Sequence, residues 1–248
     1  MRAPRIFHPE AIQLNQPTTL TDDAVGHVGR VLRMNVGDHI RLFHNANTFS
    51  ESGEFLSEIV EVSKKKVVVK PIEFIANDVE SPLTIHLGQG ISRGDKMELT
   101  IQKSVELGVT EITPLFSERC GVKLSGERLE KKLSQWQKIA ISACEQCGRN
   151  AIPVIHPPMQ FNEWVSKNTN ELKLNLHPRA KDTIKTIGMP NHGVRFLVGP
   201  EGGLSESEID LASAQGFKEI LIGPRVLRTE TAALTVITAL QVQYGDLA

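Results

Sequence analysis

VRFLVGPEGGLSESEIDLASA (residues 194–214) runs from an apolar, β-branched segment through a loop holding three glycines in five positions into a stretch with helix-start signals. Ser205 followed by Glu208 has capping-box spacing. FKEILIGPRVLRTETAALTVITAL (217–240) repeats the pattern of strand, short loop and helix. Two such junctions in succession predict parallel strands covered by helices. Upstream the same alternation continues, with strands at 83–88, 111–116, 151–155 and 172–177 and helices at 95–107 and 127–147; further helices fall at 206–215 and 230–243. Asp95 and Glu98 also have capping-box spacing, and Gly108, Gly148 and Gly216 stand where left-handed caps are needed. In the 127–147 helix, Leu129, Leu133, Trp136, Ala140, Ala143 and Cys147 make one apolar stripe, which reads as core.

Residues 1–74 have a different period. IRLF (40–43), GEFLSEIVEV (53–62) and KKVVVKPIEF (65–74) are short β-rich runs separated by turn residues, the pattern of a small barrel, and HVGRVLRMNVGD (27–38) reads as a short helix closed at Gly37. IANDVESP (75–82) lacks apolar periodicity and serves as the linker. The domains are therefore expected at 1–74 and 75–248.

Of the 248 residues 40% are hydrophobic and 23% charged, and 28 Lys and Arg against 29 Asp and Glu leave a net charge of −1, which excludes a polyelectrolyte tail. No secretory signal is visible and no apolar run approaches the ~18 residues of a membrane span, so a soluble, cytoplasmic protein is expected. Three cysteines are too few for a disulfide framework. Cys144 and Cys147 lack a second Cys or His pair at ligand spacing, so no metal is expected; Cys147 reads as packed and Cys144 as incidental. Gly88, Gly90 and Gly94 resemble a dinucleotide loop, but the third glycine is one position late and Glu111 is misplaced for a ribose contact.

The two late loops carry the chemistry. Glycines at 199, 202 and 203 let main-chain amides approach a ligand, whereas a tight turn alone needs only one or two. The loop at 222–232 adds Arg225, Arg228, Glu230, Thr229 and Thr231 at the carboxyl end of a strand, where open α/β sheets bind ligands; Thr229 and Glu230 could equally cap the last helix. Leu176-His177-Pro178 ends a third strand, and a lone histidine there is more often structural than catalytic.

GPEGGLS (199–205), IGPRVLRTETA (222–232), QKSVELGV (102–109) and CEQCGR (144–149) together resemble the ribosomal RNA small subunit methyltransferase E family, of the SPOUT class, and 27–38 resembles its PUA-like RNA-binding domain. Ile222 stands where leucine is commoner, and Arg179 where an acidic residue is more typical. The resemblance implies an α/β fold with a SPOUT-type parallel sheet and C-terminal trefoil knot, behind a PUA-like β-barrel. It also implies transfer of a methyl group from S-adenosyl-L-methionine to N3 of a uridine in small-subunit (16S) ribosomal RNA, free or in the 30S subunit, by a homodimer.

The residues expected to hold the cofactor are Leu176, His177, Gly199, Pro200, Glu201, Gly202, Gly203, Ile222, Gly223, Leu227, Arg228, Thr229 and Thr231. Uracil N3 must lose its proton before it attacks, so a base and an anion stabiliser are needed. Arg228 suits the second role through its fixed fork of donors, and Glu230 or Glu201 the first. RNA contacts are expected from Arg2, Arg5, Arg30, Arg33 and Arg41, and from Lys103 and Arg149 in the second half. The last helix (232–244) is apolar on most faces, which favours a two-fold contact. The competing reading is a non-catalytic RNA-binding dimeric module.

Overall fold

The computed structural model describes residues 3–49, 51–177 and 180–247. The chain forms two compact units, one of Met1–Glu80 with Cys144–Ile152, the other of Ser81–Ala143 with Pro153–Ala248. No helix among the described residues is long and apolar enough to cross a membrane.

In the first unit β1 (Arg5–Phe7), β2 (Thr18–Thr19), β3 (His39–Phe43), β4 (Gly53–Val62) and β5 (Val67–Ala76) form a sheet in the order β1-β3-β4-β5-β2. Only β1 and β3 pair in parallel; the other pairings are antiparallel. Ile6, Val28, Ile40, Leu42, Phe55, Ile59, Val67 and Val69 form the core. The helix expected over 27–38 begins earlier, as α1 (Asp22–Gly26), because the Thr21 hydroxyl accepts the Ala24 N–H and caps it. It widens into a π turn, His27–Val31, closed by the Leu32 N–H on the His27 carbonyl, and ends there; Gly37 turns the chain at φ +91°. A one-turn α2 (Ala46–Phe49) follows β3.

Arg5, the first residue of β1, is buried. Its guanidinium donates to Glu54 at 2.8 Å, to the carbonyls of Cys144 and Arg149, and to Asn150 Oδ1 at 2.6 Å, while Glu54 also takes Arg41. Glu80 pairs with Arg149 at 2.8 Å and accepts the N–H groups of Asn150 and Ala151.

The second unit is a parallel eight-stranded sheet of β6 (Ile85–Gly90), β7 (Glu111–Phe116), β8 (Val154–Ile155), β9 (Met159–Gln160), β10 (Leu172–Leu176), β11 (Asp182–Thr183), β12 (Val194–Val198) and β13 (Lys218–Leu221). Its order is β11-β13-β10-β12-β6-β7-β8, with β9 also on β7. All five residues of β12, four of them apolar and Arg195 paired with Glu171, are buried, as a central parallel strand covered on both faces requires. The strand expected at 151–155 shrinks to two residues, because the N–H groups of Asn150, Ala151 and Ile152 go to Glu80 and Asn45 side chains instead of a ladder.

The helices are α3 (Lys96–Glu106), α4 (Gly126–Cys147), α5 (Phe161–Val165), α6 (Glu206–Ala214) and α7 (Thr229–Tyr244). Ser205 and Glu208 make the reciprocal capping box on α6, but Asp95 does not cap α3: its backbone is already helical, and Glu98 turns to Lys132 and Gln135. Gly108, Gly148 and Gly216 have φ of +89°, +99° and +86°. The stripe on α4 buries Trp136, Ala140, Ala143 and Cys144, whereas Cys147 is half-buried, so the expected roles of the two cysteines are reversed. Burial pushes the Cys144 thiol up to about 12, which leaves it inert.

Candidate active site cleft

The carboxyl ends of β10, β12 and β13 open on a cleft of about 660 Å³, within the usual range for small-molecule sites. Leu176, Val198, Ile220, Leu221, Ile222, Leu227 and Ile209 make it largely apolar. Its rim carries Gly199, Pro200, Glu201, Gly203, Gly223, Arg225, Arg228, Thr229, Glu230 and His177. Of the residues expected to hold a cofactor, only Gly202 and Thr231 lie off the lining. Pro178 and Arg179 fall outside the described residues.

The glycines at 199–203 also serve the backbone. A Cβ on Gly199 would lie 3.0 Å from the Gly203 carbonyl carbon and the Leu204 nitrogen, and Gly203 is left-handed at φ +69°. The turn folds back on itself and presses on β6, where a Cβ at Gly90 would meet the Pro200 nitrogen at 2.5 Å. Arg119 buttresses it from outside, donating to the Gly202 and Leu204 carbonyls at 3.3 Å.

Thr229 is not a helix cap. Its hydroxyl donates to the Gly199 carbonyl at 2.6 Å and accepts from Gln89 Nε2 at 2.8 Å, and the N-cap residue of α7, Arg228, makes no side-chain cap bond. Gln89 is fully buried and also donates to the Gly90 carbonyl. A chain of hydrogen bonds from β6 thus ties the first glycine loop to the second. Sequence reading missed Gln89 because it sits inside an apparent dinucleotide loop.

Arg228 is exposed on the rim and has no salt-bridge partner among the described residues. Glu230 is partly buried, and its Oε2 is buried without a hydrogen-bond partner among the described residues, an unusual state for a carboxylate and one that a ligand N–H would relieve. Glu201 is engaged instead: it accepts the Arg93 N–H at 3.0 Å and pairs with Lys96 at 3.3 Å. Burial pushes its carboxyl up, but the Arg93 and Glu201 N–H groups and Lys96 outweigh this and hold it below the usual range. Glu201 thereby anchors the loop to Arg93 and Lys96. His177 holds its Nδ1 3.3 Å from Glu219, which fits a structural role.

The arginines expected on RNA divide. Arg30 and Arg33 are exposed, beside Val31 and Val36, and Arg33 takes a left-handed φ of +53°. Arg5 and Arg149 are buried in ion pairs with Glu54 and Glu80 and cannot reach a phosphate, so for these two the expectation is corrected. Arg41 is bound to the same Glu54, Lys103 pairs with Glu106 at 2.7 Å, and Arg2 lies outside the described residues.

A family model of an RNA methyltransferase domain matches residues 79–241, and one of an RNA methyltransferase PUA domain matches 20–72. A ribosomal RNA small subunit methyltransferase E of Buchnera aphidicola is 40% identical over 99% of this chain and 95% of its own length. The Bacillus subtilis protein of that name is 32% identical over 91% and 90%. Among solved structures, a Legionella pneumophila protein in complex with S-adenosylmethionine superposes with a TM-score of 0.95 at 46% identity, covering all of both chains. The Neisseria gonorrhoeae ribosomal RNA small subunit methyltransferase E, bound to S-adenosylmethionine, gives 0.91 at 38%, also over all of both chains.

Proposed function

The chain belongs to the ribosomal RNA small subunit methyltransferase E family, and from that premise we propose that it transfers the methyl group of S-adenosylmethionine to N3 of a uridine in small-subunit ribosomal RNA. The observation that carries this is the Glu230 oxygen, buried and without a hydrogen-bond partner among the described residues, in an apolar cleft rimmed by two backbone-exposing loops.

The cleft suits the cofactor. Leu176, Ile222 and Leu227 offer apolar faces to an adenine, and the N–H groups around Gly199–Gly203 and Ile222–Gly223 offer donors to its polar edges. When bound, the cofactor supplies an electrophilic methyl carbon on a sulfonium sulfur, and the protein's contribution is alignment. Glu230 takes the N3 proton, directly or through water, and the Arg228 guanidinium offsets the negative charge that develops on the uracil carbonyl oxygens. The Gln89–Thr229–Gly199 chain fixes the distance between the two loops.

Arg30 and Arg33 hold the RNA, so RNA binding falls to the first unit, built on 1–74 with Cys144–Ile152 packed into it, and methyl transfer to the remainder of 75–248. Family membership further leads us to a trefoil knot, supported by the order β13-β10-β12 with Thr229, after β13, bonded back to Gly199. It leads equally to a cytoplasmic homodimer, supported by the half-exposed Leu234 and Thr238 and the exposed Val242 along α7.

Calorimetry with S-adenosylmethionine and methyl labelling of 30S subunits lacking the modification test the proposal. Binding heat and a single labelled uridine are expected, with labelling lost in Arg228→Ala. Absence of heat, with RNA binding retained, would favour the non-catalytic RNA-binding module.

A further inference from the structure

We propose that His86, Glu111 and His156 form a zinc site at the amino ends of β6 and β7, away from the cofactor cleft. His86 and Glu111 are paired neighbours in adjacent parallel strands. His156 follows β8, with its N–H on the Ile112 carbonyl at 2.9 Å. The topology therefore gathers three side chains from positions 86, 111 and 156 that share no motif in the sequence.

One ligand atom from each residue lies within 4.8 Å of the other two. Glu111 Oε2 is 2.7 Å from His156 Nε2 and 3.7 Å from His86 Nδ1. Ligand atoms around a tetrahedral zinc stand about 3.4 Å apart, so these spacings need only rotamer-scale adjustment. The two rings lie nearly parallel at 28°, with centroids 5.3 Å apart. Two imidazoles and one carboxylate are the donor set of a borderline divalent metal rather than of magnesium or calcium.

The surroundings hold the ligands in place. The second nitrogen of His86 is 2.8 Å from the Thr113 hydroxyl, the outer contact that fixes ring orientation in metal sites, and Trp164 packs its ring at 88° to the imidazole. Arg195 and Lys167 bring positive charge nearby. Arg195 is paired with Glu171 at 2.8 Å and lies 4.9 Å above Trp164. His86 is buried, while Glu111 and His156 are 41% and 34% exposed, which leaves a way in from solvent and an open fourth position. The cluster shares no residue with the cofactor cleft, so bound zinc would join the ends of three strands and take no part in methyl transfer.

The test uses the full-length, metal-stripped protein, titrated with zinc against a chromogenic chelator, with cobalt as a spectroscopic substitute. One equivalent of zinc, a rise in melting temperature and a cobalt ligand-field band without thiolate charge transfer are expected. His156→Ala and Glu111→Gln should each weaken zinc at least tenfold and abolish the thermal shift, while circular dichroism and S-adenosylmethionine binding stay unchanged, and Cys147→Ser should bind zinc as the wild type does. Uptake that is equal in His156→Ala and wild type, or that is lost with Cys147→Ser, would overturn the proposal.

Discussion

Thr229→Val removes one hydroxyl and leaves the side chain nearly the same shape, so it isolates the hydrogen-bond chain between the two loops. Two bonds are lost, from Gln89 Nε2 at 2.8 Å and to the Gly199 carbonyl at 2.6 Å. Each contributes about 1 kcal/mol net, and leaving a buried polar group unmatched costs about 1–3 kcal/mol more. Gln89 keeps its bond to the Gly90 carbonyl, so the total comes to about 3 kcal/mol. At roughly 2–4 °C per kcal/mol for a domain of this size, calorimetric melting should fall by about 6–12 °C. Because the Gly199 loop is no longer held, the affinity for S-adenosylmethionine should drop about tenfold, equivalent to 1.4 kcal/mol. Thr229→Ser keeps the hydroxyl and should restore both. In a double-mutant cycle, Gln89→Leu should couple to Thr229→Val, the pair together losing less than the sum of the two. If Thr229→Val melted and bound cofactor like Thr229→Ser, the staple would have no energetic role and the reasoning would fail.

Other outcomes follow from the same geometry. Gly90→Ala should drive the Pro200 loop outward, since the added carbon would lie 2.5 Å from its nitrogen, and cofactor affinity measured by calorimetry should fall at least tenfold. Arg5→Ala leaves Glu54 buried beside Arg41 alone and should destabilise the first unit by about 3–5 kcal/mol in urea titration. Glu145 has its carboxyl pushed up by burial, against the opposing Phe7 N–H. Its folded pKa exceeds the unfolded one, so the native state binds more protons between the two and stability falls as pH rises through that window. Glu145→Gln should therefore flatten melting temperature against pH above 4.5 and raise it at pH 7, with no gain at pH 4.

Much of the second unit was legible because its signals are local. Continuous apolar strands, Ser205 with Glu208, and glycines at helix ends each specify their own neighbourhood, and both glycine loops could be read from chain position alone. What could not be read depends on partners far apart in sequence. Nothing near Arg5 reveals that Glu54, Cys144 and Asn150 will surround it, so a residue that looks like a phosphate contact becomes a structural ion. Thr229 looks like a helix cap until β6 brings Gln89 to it. The triad at 86, 111 and 156 exists only because parallel pairing aligns three strand ends. Asp95 shows the opposite failure, a local pattern overruled when Glu98 finds Lys132 on a neighbouring helix.

The stretch Cys144–Ile152 is synthesised more than sixty residues after Glu80, yet it completes the unit that begins the chain. On the ribosome the amino-terminal portion therefore emerges with Arg5 held by Glu54 alone and Glu80 without Arg149, Asn150 and Ala151, until residues 144–152 follow. A fragment cut at the linker would inherit that unfinished state permanently, whereas a co-expressed peptide spanning 144–152 would offer it the missing partners.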